Sequence, residues 1–166
     1  KDEVDLRELK KKYPLALPKC NSSKRIDFYI WDDTSLRKDE VDLRELRKNY
    51  PLALPKCNLR KRIDFYIWDD TPLIKDQEGI FAPSNSDLLN SRQISYIFVP
   101  CLSVDKKLNR LGYGGGYYDK LRANKDWRLI PCIGVLTNKC VSKSFLTKDN
   151  WDIPLNGFIT DNEIFI

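Results

Sequence analysis

The chain has 166 residues, 42% hydrophobic and 32% charged with a net charge of +5, the balance of a globular domain large enough to bury a core. It contains no histidine, which excludes a Ser-His-Asp triad, a Cys-His pair and a His-ligated zinc. The longest apolar stretch, residues 94–104, is broken by Ser95, Pro100 and Ser103, so no membrane partner is expected, and residues 1–5 are too charged for a secretory signal.

The first 73 residues contain a duplication. Residues 1–36 recur as residues 38–73 with 31 of 36 positions identical, the exceptions being Lys10/Arg47, Lys12/Asn49, Ser22/Leu59, Ser23/Arg60 and Ser35/Pro72. A solenoid needs about three or more units, so two copies followed by unrelated sequence indicate a segmental duplication. With no methionine anywhere, the sequence is expected to be a piece missing its beginning. In each copy Asp2 or Asp39 can cap a helix that is acidic at its start and basic at its end, stopping before Pro14 or Pro51. A short strand follows in Pro-Leu-Ala-Leu-Pro-Lys-Cys. A second is predicted over residues 62–68, where Ile63, Phe65 and Ile67 share one face. Asp69 and Asp70 then read as a turn, since adjacent acids on a strand point to opposite faces and make a poor metal site.

Beyond the duplication the pattern predicts a short Asx-capped helix over 84–92, a buried strand over 94–100 and a loop to Gly116. A helix over 117–124, a strand near 129–135 and short strands near 158–159 and 164–166 complete it. Strands alternating with helices predict an α/β fold of three layers, a mainly parallel sheet with helices on both faces.

Cys20, Cys57, Cys101, Cys132 and Cys140 are odd in number and lack a CxxC spacing, which reads as packed, reduced thiols in a cytoplasmic protein. No third of the chain is a basic module, so no nucleic-acid partner is expected. Residues 101–128 alone hold a local excess: Lys106, Lys107, Arg110, Lys120, Arg122, Lys125 and Arg128 against Asp105, Asp119 and Asp126. Such a run serves either a small polyanion or a solvated face.

Within that run lies the most informative segment, Asn109-Arg-Leu-Gly-Tyr-Gly-Gly-Gly-Tyr-Tyr-Asp-Lys120. It follows a strand and opens a helix. Glycines 112, 114, 115 and 116 allow backbone N–H groups to approach a ligand, the helix start adds free N–H groups, and Arg110 and Lys107 add charge. These are the parts of a phosphate cradle. Tyr117 stands where a Walker loop has its lysine and where a dinucleotide fingerprint has its last glycine, so neither common loop fits. A glycine-rich turn packing two aromatic residues on the core remains the other reading of these residues.

The segment from Arg110 to Asp119 resembles the signature of the 5-formyltetrahydrofolate cyclo-ligase family, also called methenyltetrahydrofolate synthetases. The resemblance extends through Pro51-Leu-Ala-Leu-Pro-Lys, Gly79-Ile-Phe-Ala-Pro83, Ile97-Phe-Val-Pro100 and Ile133-Gly-Val to Trp151-Asp-Ile-Pro-Leu-Asn-Gly-Phe-Ile-Thr160, over roughly residues 46–162. It implies cyclisation of 5-formyltetrahydrofolate to 5,10-methenyltetrahydrofolate, with ATP and Mg²⁺ as cofactors and ADP and phosphate released. By position, Arg110, Leu111, Gly112, Tyr113, Gly114, Gly115, Gly116, Tyr117 and Tyr118 would bind the nucleotide. Tyr113, Gly114, Gly115, Gly116 and Tyr117 would also touch the folate, and Asp119 would hold the metal. Residues 38–166 would form the cyclo-ligase-like domain and residues 1–37 an appendage.

Three departures lead us to expect impaired activity. Nothing before residue 38 resembles the family's basic ATP-binding helix and folate-binding segment. Asn156 stands where a metal-binding acid is usual, and Ala82 stands in the acidic place of Gly-Ile-x-Glu-Pro. The competing readings are a non-catalytic nucleotide- or folate-binding remnant and an interaction module whose duplicated strands pair with another chain. A monomer is expected, with a strand-swapped dimer as the alternative.

Overall fold

A computed structural model describes residues 51–68 and 72–166, together with the strands Leu15–Cys20 and Ile26–Trp31. The helices expected before Pro14 and Pro51, and the Asp69-Asp70 turn, lie outside these residues.

Strands β1 (Leu15–Cys20) and β2 (Ile26–Trp31) form an antiparallel hairpin. The second copy repeats it as β3 (Ala53–Cys57) and β4 (Ile63–Ile67). The period-two pattern puts Ile63 and Phe65 in the core, while Leu59 in the connecting turn is exposed. A second small hairpin joins β5 (Leu73–Lys75) to β6 (Phe81–Pro83).

The helix expected over 84–92 is not formed. Leu88–Leu89 is instead β7, pairing with β4 through Phe65↔Leu89 and Tyr66↔Leu88. The Asx cap is real but sits later. Asn90 Oδ1 accepts from Arg92 N, Gln93 Oε1 accepts from Asn90 N, and only one 3-10 turn, Ser91–Gln93, follows. Pairing with a strand distant in sequence overrides a weak local preference.

The largest sheet contains β8 (Ile97–Pro100), β11 (Cys132–Val135), β12 (Gly157–Ile159) and β13 (Ile164–Phe165), in the order β13-β12-β11-β8. β8, β11 and β12 run parallel, and β13 is antiparallel to β12. Only four residues join those last two strands, far fewer than a parallel crossover needs. With the hairpins, the α/β fold therefore has a mixed rather than mainly parallel sheet arrangement and few helices. β8 is an edge strand. It buries Ile97 and Val99 but leaves Phe98 exposed, so the strand expected to be buried is buried on one face.

Within the loop after β8, β9 (Ser103–Val104) and β10 (Arg110–Leu111) form a hairpin that the sequence pattern does not show. It delivers the glycine loop to helix α1 (Tyr117–Ala123), which is followed by α2 (Lys125–Arg128). The principal core joins Ile63, Phe65, Ile97, Val99, Cys101, Val104, Leu121 and Phe158, with Tyr117, Tyr118 and Trp127 packed against them. Trp127 and Phe65 stack at 5.5 Å, fixing α2 against β4. A smaller cluster of Ile133, Val135 and Ile159 forms separately. Among the described residues no helix is long and apolar enough to cross a membrane.

The turn that carries the chain from β9 to β10 is built on Asp105, which is fully buried. Its Oδ1 accepts from the backbone N–H groups of Lys107 (2.8 Å) and Asn109 (2.9 Å). Its Oδ2 accepts from Asn109 Nδ2 and Leu146 N, both at 2.9 Å. Burial works to raise the Asp105 pKa, but these bonds outweigh it and hold the carboxyl below the usual carboxylate range. Asp105→Ala leaves several buried donors without an acceptor and is expected to cost about 2–4 kcal/mol in urea unfolding at neutral pH. A depressed folded pKa gives stability that is complete above the unfolded carboxyl's value, near pH 4, and is lost as the pH falls through the folded value. The gap between wild type and Asp105→Ala should therefore narrow below about pH 4, and a gap that is constant with pH would contradict this assignment.

Candidate functional site

Four glycines give the loop two kinds of freedom. Gly114 and Gly116 have φ of 83° and 66°, and a Cβ on either would meet nothing within 4 Å. Both adopt backbone that favours glycine and face open space. Gly116 is also the residue from which α1 starts, and its carbonyl accepts from Lys120 N at 3.0 Å. Gly112 and Gly115 instead make room for side chains. A Cβ at Gly112 would lie 2.6 Å from Arg110 Nη1, and one at Gly115 would lie 2.8 Å from the Tyr117 ring. Leu111 and Tyr113 are exposed.

The two tyrosines after the glycines go separate ways. Tyr117 donates its hydroxyl to Glu78 Oε1 at 2.6 Å, tying α1 to the turn between β5 and β6. That hydrogen bond to a carboxylate pushes the phenol up to about 12, so it stays protonated. Tyr118 lies beneath Arg110, whose guanidinium carbon is 5.4 Å from the ring centre. Arg110 Nη2 also reaches Asp119 Oδ1 at 3.2 Å. Arg110, Tyr118 and Asp119 are thus one cluster, built from the start of β10 and the first turn of α1.

These three line a cleft with Asn109, Arg122, Lys148, Asp152 and Leu155. Arg122 is buried, and its two terminal nitrogens donate to the carbonyls of Ile153 (2.6 Å) and Pro154 (2.9 Å). This pins the segment carrying Asp152 against α1. Burial lowers the Arg122 pKa, but a guanidinium keeps its charge. Asp152 Oδ2 accepts from Asp149 N at 2.7 Å, closing the turn that presents Lys148. The cleft therefore offers Arg110, Arg122 and Lys148 to an anion and Asp119 and Asp152 to a cation.

Of the residues singled out by sequence, Arg110, Tyr118 and Asp119 meet in this cleft. Lys107 does not join them, because its ammonium sits 4.3 Å over the Phe145 ring. Arg122, one of the basic residues of the 101–128 run, joins them, whereas Lys148 and Asp152 were missed. Asp152 lies in the closing segment at Trp151-Asp152, a signal that was available. Lys148 carried none. Cys57, Cys101 and Cys132 are buried, and burial raises their thiols to about 11, 12 and 11. They pack rather than react, as the sequence suggests. Among the described residues no three His, Cys, Asp or Glu side chains gather into a metal cluster. Asp119 is partly exposed and oxygen-bearing, which fits Mg²⁺ held by one carboxylate, waters and a nucleotide's phosphates.

Comparison with known proteins supplies the family. The profile of the 5-formyltetrahydrofolate cyclo-ligase family matches residues 4–161. The chain belongs to this family. The curated 5-formyltetrahydrofolate cyclo-ligase of Haemophilus influenzae is 35% identical over 81 residues, covering 48% of this chain and 43% of that protein. Its counterpart from Mycoplasma pneumoniae is 32% identical over 84 residues, covering 51% and 49%. The matches thus span about half the length of these curated relatives, or less. Among solved structures, the 5,10-methenyltetrahydrofolate synthetase of Aquifex aeolicus aligns with a TM-score of 0.61 at 30% identity, over 78% of this chain and 66% of that one. The Mycoplasma pneumoniae synthetase aligns at 0.53 and 28%, over 75% and 66%. The cyclo-ligase family is an enzyme family, and its fold and name agree with the resemblance carried by the glycine loop.

Proposed function

We propose that this domain binds ATP with Mg²⁺ and 5-formyltetrahydrofolate and closes the folate ring to 5,10-methenyltetrahydrofolate. The observation that carries the proposal is the loop itself, whose Gly114 and Gly116 open onto space and whose Gly112 makes room for the Arg110 guanidinium. Residues 110–118 bind the nucleotide through backbone N–H groups and the Arg110 guanidinium. Tyr113 to Tyr117 face the folate, and Asp119 holds the metal, which supplies charge neutralisation at the transferring phosphoryl group. Arg110, Lys148 and Arg122 supply positive charge from the protein side. With no histidine to move protons, the chain acts by positioning and electrostatics.

Residues 38–166 form the functional unit in this reading, as a cytoplasmic monomer, and residues 1–37 are the appended copy. A three-layer arrangement with helices on both faces of the parallel strands belongs to the same proposal.

Activity of these 166 residues is expected to be weak. Asn156 stands where the family has an acid, and its Oδ1 accepts from Cys132 N at 2.9 Å. Ala82 stands in another acidic place and is fully buried. Each missing charge contact near a developing phosphoryl charge costs on the order of a hundredfold in rate. The test follows methenyltetrahydrofolate absorbance with ATP, Mg²⁺ and 5-formyltetrahydrofolate. Slow turnover that requires all three supports the proposal. ATP binding without turnover would favour the remnant reading, and the absence of both would overturn the proposal.

A further inference from the structure

The seat occupied by the second hairpin fits the first hairpin equally well. β3 and β4 pair from Ala53↔Ile67 to Cys57↔Ile63. β1 and β2 pair through Ala16↔Ile30 to Cys20↔Ile26, which is the same register displaced by 37 residues. The second hairpin meets the rest of the domain through a definite set of residues. Cys57, Ile63, Phe65 and Trp68 are buried, Phe65 stacks on Trp127, and Tyr66 pairs with Leu88 of β7. Lys56 Nζ donates to the Pro83 carbonyl at 3.3 Å. The first copy carries the same residue at each equivalent position: Cys20, Ile26, Phe28, Trp31, Tyr29 and Lys19.

Two of the five differences between the copies, at positions 59 and 60, fall in the hairpin turn, away from those contacts. Leu59 is 93% exposed and Arg60 is exposed beside it in the hairpin turn. Pro72 follows β4 and is exposed, and positions 47 and 49 precede the hairpin in the sequence. Among the described residues, the contacts named above do not distinguish one hairpin from the other; the chain that connects them does.

We infer that the two hairpins exchange, so that residues 15–31 replace residues 53–67 beside β7 within the same molecule. The connection from the hairpin's last tryptophan to β5 then lengthens from 4 residues to 41. Loop closure disfavours the longer connection by the three-halves power of the length ratio, about 30-fold. The exchanged form is accordingly a minor state of a few per cent. A hairpin tethered in the same chain has an effective concentration of order millimolar, so at micromolar protein it outcompetes one from a second molecule.

Phe65→Asp, Phe28→Asp and the double variant test this in the full chain. A charge at Phe65 unseats the second hairpin, and exchange lets Phe28 take over. Phe65→Asp should then melt cooperatively, roughly 5–10 °C below wild type, because only the loop penalty is felt. Phe28→Asp should melt like wild type, and the double variant should lose its cooperative transition. Phe65→Asp that is as disordered as the double variant overturns the inference. A second measurement needs no core charge. Tyr29→Cys with Leu88→Cys should give a 29–88 disulfide in monomeric protein on oxidation, detected by peptide mapping. Tyr66→Cys with Leu88→Cys is the positive control. A 29–88 bond that is absent while the control forms, or present only in dimers, refutes exchange within the chain.

Discussion

Gly114→Val and Gly116→Val should each abolish ATP–Mg²⁺ binding in calorimetric titration while leaving a cooperative unfolding transition. Both glycines have positive φ, and a Cβ at either projects into open space. The Cβ itself therefore meets no neighbour, and the isopropyl group it carries would fill the volume that phosphates would occupy. The left-handed backbone adds a penalty of about 1–2 kcal/mol for any L side chain, which lowers the melting temperature without preventing folding. Gly79→Val provides a matched control. Gly79 also has positive φ, 75°, with nothing within 4 Å of an added Cβ, and it lies in the β5–β6 turn outside the loop. Equal loss of stability in all three variants, with loss of ATP binding only in the loop pair, would separate occupied space from backbone strain. Unchanged ATP affinity in both loop variants would remove the phosphate-cradle reading.

Local periodicity and turn chemistry made much of this fold legible. The Ile63–Phe65 alternation, the β8 and β11 strands and the helix opening at Tyr117 all follow from side-chain patterns a few residues long. Features decided by distant partners were not legible. Leu88 and Leu89 fit a short helix until β4 offers its edge, and β13 turns antiparallel because four residues cannot make a crossover. The site divides in the same way. Arg110, Tyr118 and Asp119 lie within ten residues of one another, and the signature contains them all. Lys148, Asp152 and Arg122 reach the same cleft because Arg122 binds the carbonyls of Ile153 and Pro154. No short motif records that contact. Charge alone also misled: Lys107 is three residues from Arg110, yet its ammonium rests on Phe145.

Asp119→Asn is expected to strengthen the binding of metal-free ATP and to erase most of the gain that Mg²⁺ provides. Arg110 is held in place from two sides, by Asp119 at 3.2 Å and by the Tyr118 ring at 5.4 Å. A nucleotide arriving without metal must draw the guanidinium away from Asp119 and bring its phosphates close to that carboxylate. In the proposed site, Mg²⁺ held by Asp119 would remove both obstacles, neutralising the carboxylate and leaving Arg110 to the phosphates. The Asp119 side chain is 41% exposed, so solvent screens the pair and its contribution is modest, about 1 kcal/mol. Metal-free ATP should accordingly bind Asp119→Asn about fivefold more tightly than wild type. The ratio of affinities with and without Mg²⁺ should fall by about tenfold or more, since the amide is a poorer ligand for a hard cation. Arg110→Lys should weaken binding in both conditions, because an ammonium lacks the planar fork that meets two phosphate oxygens and stacks on Tyr118. Titrations of ATP in EDTA and in excess Mg²⁺ measure all of these ratios. An Asp119→Asn variant that keeps the full Mg²⁺ enhancement would show that another group holds the metal.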